Sequence, residues 1–221
     1  MKQIVIAIDG TSASGKSTTS KCVARKLGYI YVDTGAMYRT LAWYCLKHHV
    51  DLHSEKAIAA ACRKWKTTLV CVDEQVRLLA DGYYPEKEIR TSETSAAVTF
   101  VAAVPKVRAW MKQTQRDCIK FGNQVMEGRD IGTNVFPETD YKFFLDASIH
   151  VRNKRRAAEG VSENLAERDR RDSQRATSPL MIALGALVIN NSGQTIEETA
   201  DIIIAEIEKR GANVKKTRME D

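Results

Sequence analysis

Apolar and polar positions along this chain fall into blocks that alternate between two periods. Residues 4–8 are an unbroken apolar run, the pattern of a strand buried on both faces of a parallel sheet. Residues 17–27 read as a helix stopped by Gly28, and 29–32 as a second short strand. A helix is predicted over 34–47, with Asp33 or Thr34 as its cap. Another starts at Ser54-Glu55 and runs to Lys64. Strand-like runs at 67–72 and 76–80 flank Asp73-Glu74-Gln75 and predict a hairpin, which Asp81-Gly82 closes. Thr91 caps a predicted helix through 103, with Glu93 in its first turn. Pro105 suits the first turn of a helix ending near Phe121 and Gly122. Strands at 124–126, 141–145 and 186–189 follow, and 195–210 is a last amphipathic helix ahead of a polar tail. The helix-plus-hairpin block breaks an otherwise regular strand–helix alternation, so residues 51–103 read as an insertion in a single α/β domain spanning 1–221.

The first strand runs straight into Gly10-Thr11-Ser12-Ala13-Ser14-Gly15-Lys16-Ser17-Thr18. This is the P-loop spacing, and it sits between a strand and a helix as the motif requires. Each part has a physical task. The glycines let the backbone curl so that successive N–H groups face phosphate oxygens. Lys16 reaches the β- and γ-phosphates as a point charge. The Ser17 hydroxyl suits Mg²⁺, and the following helix turns its positive end to the anion.

Composition narrows the setting. The chain has 221 residues, 43% hydrophobic and 28% charged, which suits a globular protein with a core. Its net charge of +6 favours anionic ligands, nucleotides or nucleic acid. Cys22, Cys45, Cys62, Cys71 and Cys118 lack metal-type spacing and read as free thiols in a reducing compartment. The apolar run after Met1-Lys2 is too short for a signal sequence, and no run approaches transmembrane length. These features predict a cytoplasmic protein that does not engage a membrane. His48-His49 would need further ligands to hold a metal, and only His53 and His150 remain; a helix end explains the pair.

Other polar clusters stand at predicted strand ends, where open α/β sheets bind ligands. One is Asp33-Thr34-Gly35-Ala36-Met37-Tyr38-Arg39, although Arg39 reads equally as a solvated helix charge. Another is Glu127-Gly128-Arg129-Asp130-Ile131-Gly132-Thr133, which a structural salt bridge in a turn would also explain. Residues 152–175 carry Arg152, Lys154, Arg155, Arg156, Arg168, Arg170, Arg171 and Arg175 among Glu159, Glu163, Glu167, Asp169 and Asp172. That stretch suits a solvated helix with i,i+4 pairs, or a flap whose arginines close over phosphates, with Gly160 as its hinge.

In order, these strings resemble the bacterial cytidylate kinases, a family of nucleoside monophosphate kinases. The resemblance rests on the P-loop, 33–39, Glu88-Ile89-Arg90-Thr91, Pro105-Lys106-Val107-Arg108, 127–133, Phe144-Leu145-Asp146-Ala147-Ser148 and Arg168-Asp169-x-x-Asp172-x-x-Arg175, and it covers nearly the whole chain. It implies a P-loop NTPase three-layer fold with a parallel sheet. It also implies an inserted monophosphate-binding region at 51–103 and a short lid at 150–176. ATP with Mg²⁺ would sit on Gly10 to Thr18, with Ser17 on the metal and Asp33 and Glu127 as candidates to hold its waters. Thr34, Arg108 and Asp130 would face the cytosine of CMP or dCMP, with Tyr38 in the same acceptor set. Arg39 and Arg129 would hold the acceptor phosphate. Thr99, Arg168 and Asp172 would approach the sugar, and Arg175 the transferring phosphate. In the lid, the closing Arg168 to Arg175 segment carries these roles rather than Arg152, Arg155 and Arg156. Lys16, Arg129, Arg168 and Arg175 are thus the implied catalytic set. The implied reaction is transfer of the γ-phosphoryl group of ATP to CMP or dCMP by a monomer.

Two other readings compete. Within the class, UMP or shikimate would be the acceptor; the hairpin insertion and the Arg108/Asp130 pair speak against shikimate. Outside it, a basic P-loop protein would bind nucleic acid and use nucleotide as a switch. No recognised nucleic-acid motif supports that reading, and the basic residues concentrate beside the proposed site.

Overall fold

The computed structural model describes residues 3–158, 164–175 and 177–212. Glu159, Gly160, Glu163 and the tail beyond 212 lie outside the described residues, so the hinge expected at Gly160 does too. In chain order the elements are β1 (Val5–Gly10), α1 (Lys16–Leu27), β2 (Ile30–Asp33), α2 (Thr34–Lys47), α3 (Glu55–Lys64), β3 (Thr67–Val72), β4 (Gln75–Ala80), α4 (Ser92–Ala103), α5 (Pro105–Arg116), β5 (Gln124–Glu127), β6 (Tyr141–Asp146), α6 (Ile149–Ala158), α7 (Leu165–Ser173), β7 (Leu187–Asn190) and α8 (Ile196–Lys209). Two compact units divide them. One comprises Met1–Val32 with Ile119–Asp221, the other Asp33–Cys118.

The first unit is built on strands in the order β2-β5-β1-β6-β7. β1 pairs in parallel with β5 and β6, and β6 with β7. Every residue of β1 is buried, as its continuous apolar run requires. Ile6, Ile8, Phe143 and Leu145 pack with Val23 and Leu27 of α1 and with Ile203 and Ile207 of α8. Burying each such side chain contributes about 1.5–3 kcal/mol. In α8 the buried positions Ala200, Ile203, Ile204 and Ile207 fall on one helical face. A capping box of Thr195 and Glu198 starts that helix. β1 ends where Gly10 passes so close to β6 that a Cβ there would lie 2.0 Å from the Leu145 carbonyl oxygen. Only glycine permits that approach, which sets the loop after β1 against the sheet.

The second unit holds α2, α3, the β3–β4 hairpin, α4 and α5. Each of its first helices has a side-chain cap. Asp33 accepts from Ala36 N, Ser54 from Ala57 N and Thr91 from Thr94 N. α2 packs on β4 and α4, and α3 against α5. The Trp65 ring lies 5.5 Å from Tyr44 and 5.2 Å from Trp110, so aromatic contacts fill this smaller core.

Three segments differ from their sequence-based expectation. The hairpin turn is two residues, Asp73 and Glu74, both at positive φ, and β4 begins at Gln75. That geometry matches the strand twist, at the cost of left-handed backbone in two non-glycine residues. The helix expected to reach Phe121 ends at Arg116 and tightens into a 3₁₀ turn over Asp117–Phe121. After β5, residues Ile131–Val135 form a π-helical turn that no local pattern announces. Its first two N–H groups, from Ile131 and Gly132, donate to the Asp9 carboxylate of β1 at 2.9 and 2.8 Å. Among the described residues, no helix is long and apolar enough to cross a membrane.

Candidate active site

The loop after β1 curls through left-handed residues at Ala13 (φ 57) and Gly15 (φ 84). Gly15 precedes α1 with no side-chain cap, which leaves the first N–H groups of that helix turned to the loop. Lys16 is buried, and its Nζ donates to the Thr11 carbonyl oxygen at 2.5 Å. Burial pushes its ammonium well below the ordinary lysine range. Arg129 and Arg168 add to that push, while Glu127 and Asp9 oppose it. Lys16 thus feels the positive charge of Arg129 and Arg168 beside the uncapped start of α1.

Ser17 is exposed, and its hydroxyl donates to Glu127 Oε2 at 2.9 Å. Glu127, buried at the end of β5, also accepts from the Tyr31 hydroxyl. A hydroxyl paired with a carboxylate is a hard-oxygen donor set of the kind Mg²⁺ prefers. No group of three or more His, Cys, Asp or Glu among the described residues is placed to hold a metal. A magnesium ion here would therefore take its remaining ligands from phosphate and water.

Several side chains fasten the loop from outside. Thr11 Oγ1 donates to Asp146 Oδ1 at 2.8 Å, and Ser12 N to Asp169 Oδ1 at 3.1 Å. Arg152 donates to the Ser12 carbonyl at 3.2 Å and pairs with Asp169. Arg156 reaches the Ser12 hydroxyl at 3.2 Å. Arg155 donates to Asn191 Oδ1 at 3.2 Å, and Asn191 in turn donates to the Ser14 carbonyl at 2.8 Å. Sequence reasoning put more weight on the closing segment 168–175 than on these three arginines; both contribute to the bracing, the closing segment through Asp169. Their spacing at 152, 155 and 156 puts the three arginines on one face of α6, but spacing does not tell what that face touches. Asn191 offered no comparable signal. Beside them lies a cleft of about 310 Å³ lined by Gly15, Thr18, Arg155, Asn191, Gln194 and Thr195 among others.

The strand-end cluster after β5 lies in the same unit. Arg129 Nε donates to Asp172 Oδ2 at 3.0 Å, and Arg175 pairs with the other oxygen. Burial pushes the Asp172 carboxyl up, but the Arg129 and Arg175 guanidinium groups outweigh it and hold it below the usual range. Asp130 is buried and accepts from Asn134 Nδ2 at 3.0 Å. Arg168 is half-buried on α7. The first unit therefore brings Lys16, Glu127, Arg129, Arg168, Asp172 and Arg175 into one linked charge system.

The second unit holds the other expected residues. Asp33 Oδ2 pairs with Arg39 at 3.1 Å and with Arg90 at 3.4 Å. Arg39 Nε is buried with no hydrogen-bond partner among the described residues, a donor suited to an anion. Thr34 is buried at the head of α2. The Arg108 guanidinium lies 5.7 Å from the Tyr38 ring centroid and donates to the Ala102 carbonyl at 3.4 Å. Thr99 is exposed on α4. Arg90 was not among the expected site residues; it stands in the Glu88-Ile89-Arg90-Thr91 string.

Known proteins match along nearly the full chain. The family model described as cytidylate kinase matches residues 6–209. A cytidylate kinase of Cytophaga hutchinsonii is 40% identical over 217 residues, covering 92% of this chain and 93% of the relative. That of Desulfitobacterium hafniense strain Y51 is 42% identical over 215 residues, with 92% of each covered. That of Bacillus subtilis is 39% identical over 220 residues, covering 95% and 98%. With an α/β P-loop fold and a phosphate loop at residues 10–18 already in place, the match is to the whole chain rather than to a motif, and the chain belongs to the cytidylate kinase family.

Proposed function

We propose that the protein transfers the γ-phosphoryl group of ATP to CMP or dCMP, giving ADP and CDP or dCDP. Membership of the cytidylate kinase family supports the class of reaction. The observation that carries the reading is the loop after β1, which curls through left-handed Ala13 and Gly15 into an α1 without a side-chain cap and holds Lys16 Nζ on the Thr11 carbonyl. Uncapped helix N–H groups and a lysine ammonium together suit a polyanion.

Phosphoryl transfer asks the protein for position and charge rather than covalent chemistry. Gly10 to Thr18 hold the ATP phosphates through backbone N–H groups and Lys16. Ser17 would hold Mg²⁺, with Asp33 and Glu127 as candidates for its water ligands. The ion, when bound, spreads the charge that develops on the phosphates. Arg39 and Arg129 orient the acceptor phosphate so that its oxygen attacks the γ-phosphorus in line. Thr34, Arg108 and Asp130 read cytosine, with Tyr38 supporting Arg108 through its ring face. Thr99, Arg168 and Asp172 face the sugar, and Arg175 the group in transfer. Closure of the lid excludes water and suppresses ATP hydrolysis.

The test is ADP release with CMP, dCMP, UMP and AMP as acceptors, repeated with RNA or DNA alone. CMP and dCMP are expected to drive release far above the other acceptors. Release driven by nucleic acid instead would favour a nucleotide-switch protein.

The sugar contacts make a separate prediction. Loss of Arg168 or Asp172 should raise KM for CMP and dCMP unequally, with KM for ATP little changed. Both stand on α7 one turn apart, on one face. Weakening of ATP alone would assign them to the donor side.

A further inference from the structure

Asp9 has no part in the chemistry above, yet its carboxylate is one of the most buried charges in the first unit, at 3% exposure. It is the last residue before Gly10 and the phosphate loop. Its two oxygens each accept one backbone N–H from the far side of the strand end, Ile131 at 2.9 Å and Gly132 at 2.8 Å. Those residues directly follow Arg129 and Asp130. Next to this contact, Gly128 N donates to the Ile8 carbonyl at 3.1 Å, so both ends of the 128–132 turn are fastened to the last residues of β1.

We propose that Asp9 is a positioning residue for the acceptor nucleotide, setting the Arg129-Asp130 turn in register with the phosphate loop through its two backbone hydrogen bonds. The inference rests on the acceptor role given above to Arg129 and Asp130. The turn needs such a tie. The π-helical turn after Asp130 has no side-chain cap of its own, and its first N–H groups would otherwise be buried without partners. Desolvation raises the Asp9 carboxyl to about 6, with the Asp130 charge opposing ionisation, and Lys16 and the two N–H groups favouring it. Once ionised, Asp9 accepts both bonds as an anion, and bonds to an ionised acceptor are stronger than neutral ones. Gly132 is closely packed too: a Cβ there would lie 3.2 Å from Ala183 Cβ and 3.3 Å from Lys142 Cγ. The turn is thus packed at Gly132 and tied to β1 by the Asp9 carboxylate and the Gly128–Ile8 backbone bond.

Asp9→Asn keeps the shape and breaks the match. An amide offers one acceptor oxygen, and its NH₂ group only donates. One of the two backbone N–H groups is then left facing another donor in a buried site. The Arg129-Asp130 turn should shift or loosen, while the phosphate loop keeps its own fastenings to Asp146 and Asp169.

The experiment is steady-state kinetics of Asp9→Asn with CMP, UMP and ATP each varied, alongside its melting temperature. KM for CMP is expected to rise about tenfold or more, and the CMP-over-UMP ratio of kcat/KM to fall by a similar factor. KM for ATP should not rise. A folded variant with wild-type KM for CMP and an unchanged CMP/UMP ratio would overturn the proposal, even with a lower melting temperature. So would a loss confined to ATP. Should the variant not fold, amide exchange in the wild-type chain decides. Ile131 and Gly132 are expected to be strongly protected, and exchange at the rate of an open loop would refute the tie. A wild-type chain that fails to phosphorylate CMP would instead overturn the proposed function, while those amides would still report on Asp9.

Discussion

Lys16→Ala should leave a folded protein whose turnover is lower by roughly two to three orders of magnitude, because preorganised charge of this kind commonly contributes ~3–4 kcal/mol to a transition state. Its Nζ is held on the Thr11 carbonyl, so on the proposed reading it stands ready for the phosphates. Alanine removes that charge and leaves Arg129 and Arg168 where they are, which relieves repulsion in the free protein. Stability should therefore hold while catalysis falls. The depressed lysine also carries a pH signature. A group held below its ordinary range loses its proton at lower pH than an exposed lysine would. The ATP polyphosphate favours the charged form and draws a proton back. ATP binding at alkaline pH should then be accompanied by proton uptake, which calorimetry in buffers of different ionisation enthalpy measures. The uptake should vanish in Lys16→Ala. Near-normal turnover in that folded variant would remove the loop from the mechanism.

The second large effect concerns base choice. Cytosine presents an amine donor at N4 and acceptors at N3 and O2, whereas uracil presents an acceptor at position 4 and a donor at N3. An ionised carboxylate only accepts, and a guanidinium only donates. On the reading proposed above, Asp130 accepts from the cytosine amine and Arg108 donates to N3 or O2. Against uracil the carboxylate meets an oxygen with no proton to share. A buried acceptor left unpaired costs about 1–3 kcal/mol, more when it is charged. CMP should therefore be preferred over UMP by roughly ten- to a few hundred-fold in kcat/KM at neutral pH. Asp130→Asn should shrink that ratio, since an amide donates as well as accepts. The change is mild for the fold, because an amide oxygen can still accept from Asn134 Nδ2. An unchanged ratio in the folded variant would reduce Asp130 to a turn residue.

Much of the architecture was legible because its determinants are local. The apolar run of β1, the caps at Asp33, Ser54 and Thr91, and Pro105 at the head of α5 all act within one turn of where they stand. The phosphate loop was legible for the same reason, since its spacing is contained in one short string. What escaped depends on distant residues. The π-helical turn at Ile131–Val135 donates its first two N–H groups to Asp9, distant in sequence on β1. The bracing of the loop by Arg152, Arg155 and Arg156 becomes visible only once α6 lies beside residues 12–15. In sequence those arginines are part of a charge run that a solvated helix explains equally well. The hairpin turn escaped for a different reason: Asp73 and Glu74 adopt left-handed geometry without the glycine or asparagine that usually marks it.

Phosphoryl transfer to a cytidine monophosphate is the central claim, and ³¹P NMR of the wild-type protein with ATP, Mg²⁺ and CMP tests it most directly. CDP and ADP should appear together in equal amounts, with little inorganic phosphate, as a site that excludes water requires. Inorganic phosphate released without CDP would contradict the account.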